Sequence, residues 1–149
     1  MKQNGLLIAR RAVLHMPALL AVAASPAAFA GPTPAAKDAY LYIITPLDGQ
    51  HLRGAFWCRF GLRNMGVAPA GVATPNTGHH HLLIDVDEPL NTEMAIMADK
   101  KHVHFGAGQT ETRLELSPGR HTLQLVLGDV SHVPFDPTVA SHKISITVL

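Results

Sequence analysis

The chain has a single cysteine, Cys58, so an internal disulfide is excluded and the fold has to rest on its core. A basic excess is missing too, with 12 Lys and Arg against 11 Asp and Glu. Removal of an N-terminal signal would take Lys2, Arg10 and Arg11 away and leave a net charge of about −2 with His neutral. No basic field remains for nucleic acid, and no polybasic tail for a membrane surface. No segment sustains a helical period and no internal repeat is visible. Several chemical signatures are also missing. Gly106-Ala107-Gly108-Gln109 follows a strand but opens no helix, so it is no phosphate cradle. Asp129, Ser131 and His132 are the residue types of a hydrolase triad, but no nucleophile elbow precedes the serine. Asp85-Val86-Asp87-Glu88 lacks the spacing of a calcium loop and reads as a solvated turn.

Residues 1–30 read as a signal peptide. A positive start is followed by an apolar run from Ala12 to Ala24, interrupted by His15 and Pro17. Ala28-Phe29-Ala30 then supplies a small-x-small cleavage site before Gly31. The run is too short to span a membrane, so no integral segment is expected after cleavage. Arg10-Arg11 also resembles the start of a twin-arginine signal. The expectation is export, to the periplasm or beyond. Residues 31–38, rich in Pro and Ala, read as a linker, and 39–149 as one domain of ordinary core size.

That domain reads as all-β. Tyr40 to Thr45 is β-rich and ends at the turn Pro46-Leu47-Asp48-Gly49. Between Ala55 and Leu62, Phe56, Cys58, Phe60 and Leu62 share one face, which makes Cys58 a buried, inert thiol. His79 to Val86, His102 to Phe105, Thr112 to Leu116, His121 to Leu127 and Ile144 to Val148 complete the set. Pro118-Gly119 suits a type II turn joining two antiparallel strands. About seven short strands with turn signals between them predict an immunoglobulin-like antiparallel β-sandwich. Two long loops, 66–78 and 128–137, interrupt the strand pattern, and loops of this length are often functional.

Against these absences stand ten histidines. Imidazole is the commonest metal ligand and titrates near neutral pH. Leu82, Ile84 and Val86 mark the core face of the third strand, which puts His80 on that face and His79 and His81 on the other. Val103 and Phe105 likewise turn His102 and His104 away from the core. Residues two apart on a strand lie about 6.6 Å apart on one face. Two such His-x-His pairs on neighbouring strands would offer up to four imidazoles to one ion, and the second long loop adds His132. The candidate metal ligands are therefore His79, His81, His102, His104 and His132, with copper or zinc as the ion. Binding should weaken as pH drops through about 6, because a ligating imidazole must be neutral. His80 and His121 read as structural. Met65, Met94 and Met97 carry thioethers suited to copper(I), although scattered methionine usually fills cores.

The motifs from Asn64 to Gly71, Asn76 to Asp85, His102 to Glu111 and Pro118 to Asp129 resemble an exported bacterial family known as a domain of unknown function (DUF4399). The resemblance spans nearly all of Tyr40 to Leu149. It implies a small exported β-domain and brings no activity. Members of the family often carry His where this chain has Phe135, a departure that moves emphasis away from the 128–137 loop as the main site. The residues together describe an exported binding domain that takes a transition metal through a His-rich surface. The alternative is a non-catalytic interaction domain whose histidines form hydrogen-bond networks. A metal-dependent enzyme is the third reading, and no positioned general base or nucleophile supports it. Mass spectrometry of the exported protein should find an N-terminus near Gly31, and mature protein retaining Met1 would refute the signal.

Overall fold

A computed structural model describes residues 32–149. The segment read as a signal peptide lies outside the described residues. Among the described residues there are nine strands, the longer ones set by alternating apolar side chains: β1 (Tyr40–Thr45), β2 (His51–Leu52), β3 (Phe56–Arg63), β4 (Gly66–Val67), β5 (Thr77–Ile84), β6 (His102–His104), β7 (Glu111–Leu114), β8 (Gly119–Gly128) and β9 (Ile144–Val148). The seven strands of three residues or more are those expected from alternation. The two-residue strands β2 and β4 were not foreseen, and both pair in parallel, with β9 and β5 respectively.

The strands form two sheets, one in the order β1-β3-β7 and the other in the order β2-β9-β8-β5-β4, with β6 also pairing β5. Alternation directs one face of each sheet at the other. Phe56, Cys58 and Phe60 of β3 meet Leu82 and Ile84 of β5, Leu123, Leu125 and Leu127 of β8, and Ile146 and Val148 of β9 in one buried cluster. The result is an all-β sandwich. Each fully buried aliphatic side chain contributes roughly 1.5–3 kcal/mol of transfer free energy.

One expected connection is different. Pro118-Gly119 does not close a hairpin, because β7 pairs with β3 and β8 pairs with β5 and β9. The turn carries the chain from the smaller sheet to the larger. Periodicity reports which side chains share a face, not which sheet a strand joins.

A second difference decides what the site is. The outer face of the larger sheet is covered. Leu83 of β5 and Val126 of β8 pack with Val86 and Ile96 from the loop that follows β5. Residues of the segment read as a linker are also tied down. Thr33 Oγ1 donates to Asp129 Oδ2 at 2.6 Å and the Ala35 N–H donates to the Asp136 carbonyl at 2.8 Å. Strand β5 is therefore buried on both faces, from Gly78 to Ile84.

Cys58 lies fully inside the sandwich, and burial pushes its thiol up to about 12. A thiol reagent should label it only after denaturation, and rapid labelling of the native protein would contradict the packing. Leu125→Ala, which empties a fully buried position of the same core, should cost about 2–5 kcal/mol in urea unfolding.

Candidate metal centre

The site grows from the two-residue period of β5. His80 points into the sandwich, where its ring lies 5.2 Å from that of Phe60 and its Nδ1 is 3.1 Å from the Gln109 carbonyl. Burial lowers its pKa, and the Gln109 carbonyl opposes that shift. His79 and His81 point the other way. Antiparallel β6 sets His104 beside His81. On the opposite edge β8 sets Gly128 beside His79 and Val126 beside His81.

Gly128 makes room for the imidazoles. A Cβ there would stand 2.9 Å from His81 Nε2 and 3.4 Å from the His132 Cα. Gly106 does the same for His104, whose ring a Cβ at that position would overlap.

After Gly128 the chain turns back over the sheet. Asp129 holds that turn. Its Oδ1 accepts the N–H groups of Ser131 and Val133 at 2.8 and 3.0 Å, and its Oδ2 accepts the Thr33 hydroxyl. His132 adopts a positive φ of 68°, a conformation that costs a non-glycine residue roughly 1–2 kcal/mol. Its backbone is bonded on both sides, by its own N–H to the Asp129 carbonyl and by the Ile96 N–H to its carbonyl. These bonds hold the strained residue with its ring against His79.

Four imidazoles converge as a result. His81 Nε2 and His79 Nε2 are 3.0 Å apart, and His79 Nε2 and His132 Nδ1 are also 3.0 Å apart. One ring nitrogen from each of His79, His81, His104 and His132 lies within 4.8 Å of the other three. The six ring-centroid separations run from 4.8 to 5.8 Å. A square of rings would make two opposite separations distinctly longer than the other four. Here only the pair His81 and His132, at 5.8 Å, is long, while the opposite pair His79 and His104 is at 5.0 Å. The rings therefore sit at the corners of a distorted tetrahedron.

Two of the four rings are dry, and His104 and His132 are partly exposed. His79 and His81 are 1% and 0% exposed. Burial, then the neighbouring His132 and His104, lowers the His79 pKa to about 4, with the Asp129 carboxylate opposing. Burial, then the charges of His79, His104 and His132, lowers that of His81 to about 3. Burial and then His132 lower that of His104. Proton competition, expected near pH 6 from ordinary imidazole, is thus moved well below that for His79 and His81. The hydrogen bonding is incomplete: among the described residues His81 Nδ1 and His104 Nε2 are buried without a partner, as is His80 Nε2 on the other face of the strand. Buried polar atoms of this kind are rare and costly.

The candidates divide clearly. His79, His81 and His104 come together, and His132 joins them from the 128–137 loop, contrary to the emphasis drawn from Phe135. Phe135 itself packs in the sandwich core, against Gly78. His102 lies outside the four. It pairs with Leu83, farther along β5, and its Nδ1 donates to Asp99 Oδ1 at 2.9 Å. The group lies only partly at the surface: His79 and His81 are buried, and His104 and His132 are partly exposed. His121 donates from Nδ1 to Asp85 Oδ2 at 2.7 Å and from Nε2 to the Ser117 carbonyl at 2.8 Å. Burial alone would lower its pKa, but the Asp85 and Ser117 bonds and the Asp85 charge outweigh burial and raise it. Asp129 serves its own turn, as bonded above, and Asp85 serves His121 and the Thr122 N–H, so neither the triad nor the calcium reading has its carboxylate free. Gly106, Gly128 and Asp129 were missed as site residues. The signal for the last two was a glycine and an aspartate ending a strand just before the His132 loop.

Comparison with known proteins adds a family. The profile of the family described as "Domain of unknown function (DUF4399)" matches residues 58–149, which take in all four histidines. No curated protein matches the chain. Among solved structures, an endo-beta-1,4-mannanase from Thermotoga petrophila is similar over 76% of this chain and 20% of that one, at 19% identity and a TM-score of 0.43. A likeness this slight carries no argument about function.

The depressed His79 and His81 pKa values set a pH dependence. An unfolded imidazole protonates near 6.5, whereas the buried pair resists to about 4 and about 3. Their contribution to stability is complete above about 6.5 and is lost as pH falls through those values. Metal-stripped protein should show a lower urea midpoint at about pH 5 than at about pH 7.5, and His81→Leu should flatten that difference. Midpoints that rise on acidification would contradict the assignment.

Proposed function

The chain belongs to the DUF4399 family, and we propose that it binds one transition-metal ion through His79, His81, His104 and His132. The observation that carries this reading is the convergence of four imidazoles, two buried and two partly exposed, each with a ring nitrogen within 4.8 Å of the others. Neutral imidazoles offer their lone pairs without first losing a proton. Zinc bound by nitrogen sits about 2.0–2.1 Å from each ligand, so a small inward movement of the rings would close the shell. The tetrahedral disposition favours zinc(II). Copper(II) prefers a tetragonal arrangement but leads the general affinity order, and it is the competitor. Four protein ligands leave a tetrahedral ion no open position, which supports holding an ion over hydrolysis at it.

The proposed place of action is the periplasm or the cell exterior. The positive start, apolar run and Ala28-Phe29-Ala30 site support export. Among the described residues no helix is long and apolar enough to cross a membrane.

One observation favours a second reading, in which the imidazoles form only a structural network. The two 3.0 Å contacts suit a His79 Nε2 that accepts from both His81 and His132. That network leaves His104 Nε2 buried with no partner among the described residues, and the metal reading is preferred for this reason.

Calorimetric titration separates the two. Wild type should take one zinc per chain. Substituting any of the four histidines by Ala should weaken binding by more than the roughly 10–100-fold typical of losing an outer partner, and Asp129→Ala should fall within that range. His121→Ala should leave affinity unchanged. Equal affinity in wild type, His81→Ala and His104→Ala would end the proposal.

A further inference from the structure

Met94 and Met97 are 64% and 77% exposed, although methionine is usually spent on filling cores. Both sit close to Ile96, which is buried against Leu83, Val86 and Val126. The Ile96 N–H donates to the His132 carbonyl at 2.9 Å. This anchor sets both thioether side chains around one open pocket of about 200 Å³, which they line together with Asp99 and His102. A pocket of that size is below the roughly 300–1,000 Å³ of organic ligand sites. Its donors are two thioethers, an imidazole, a carboxylate and the amide of Asn91, whose Oδ1 is already engaged by the Glu93 N–H at 2.9 Å.

His102 reaches this pocket already oriented. Asp99 Oδ1 accepts its Nδ1–H at 2.9 Å and its backbone N–H at 2.8 Å, and also accepts the Lys101 N–H at 2.7 Å. With Nδ1 donating to the carboxylate, Nε2 keeps a free lone pair. A carboxylate behind the imidazole is the usual support of a metal-ligating histidine.

We propose that Met94, Met97 and His102 form a second metal site, for copper(I), separate from the four-histidine group. Thioether and imidazole donors select soft copper(I), whereas zinc(II) and magnesium(II) prefer sites without thioether. Binding needs only the lone pairs of two sulfurs and one nitrogen, so no electron is transferred and no bond of the chain changes. The inference does not depend on whether the four histidines hold an ion.

The test is a copper(I) titration against a chromogenic copper(I) chelator under reductant, with X-ray absorption on the loaded protein. It uses the full protein beside Met94→Ile/Met97→Ile and His102→Ala. Both methionines are exposed, so the double variant should fold, and urea unfolding checks this. Wild type should bind copper(I) with sulfur in the metal's scattering shell. The double variant should lose that sulfur shell and bind at least about 100-fold more weakly, a ligand being worth more than an outer partner. Mild peroxide, which converts thioether to sulfoxide, should abolish the sulfur shell too. A nitrogen-only shell in wild type, or affinity unchanged in the double variant, would overturn the proposal. Zinc titration of the same proteins keeps the two sites apart. Absence of zinc binding alongside a sulfur-bound copper(I) would count against the four-histidine reading alone.

Discussion

Everything at the site follows from burying β5 on both faces. A strand with one solvated face could carry outward histidines at no cost, each bonded to water. Here Leu83, Val86, Ile96 and Val126 cover part of that face, His79 and His81 are buried, and the four imidazoles are left to contact one another. They manage two ring-to-ring contacts, with two ring nitrogens buried and unpartnered. Among the described residues no carboxylate hydrogen-bonds any of the four rings. Neutralisation is the cheapest answer for buried imidazoles, and it is what the lowered pKa values of His79, His81 and His104 express. Neutral rings crowded around one point are also the state a cation needs.

The four imidazoles are held in unequal ways. His79, His81 and His104 stand on paired strands, where the ladder sets their spacing. His132 stands on a turn and depends on Asp129, Thr33 and Ile96 to keep its positive φ. Thr33 lies far away in sequence, so the start of the described chain is tied, through Asp129, to the turn that holds His132. The Ile96 N–H ties His132 to the loop bearing Met94 and Met97.

Much of the fold was legible because strands declare themselves in a period of two. Phe56, Cys58 and Phe60 announced the core, and the phases of β5 and β6 placed His79, His81 and His104 on one side correctly. Alternation could not say that this side is covered, because the covering residues, Val86 and Ile96, come from segments without a period. It could not separate His102 from His104, which share a face, because only register places one beside His81 and the other beside Leu83. His132 was readable as a residue type but not as a neighbour, since its place depends on a turn held by Asp129. The same blindness to pairing made Pro118-Gly119 look like a hairpin when the chain was changing sheets.

The most direct measurement is the metal content of untagged protein purified without added metal or chelator. Elemental analysis should find about one zinc or copper ion per chain held by the four histidines, and His79→Ala should come through the same purification folded but depleted of that ion. A folded wild-type protein that carries no metal, and takes up none when zinc is supplied, would contradict the account and leave the histidines as a buried hydrogen-bonded network.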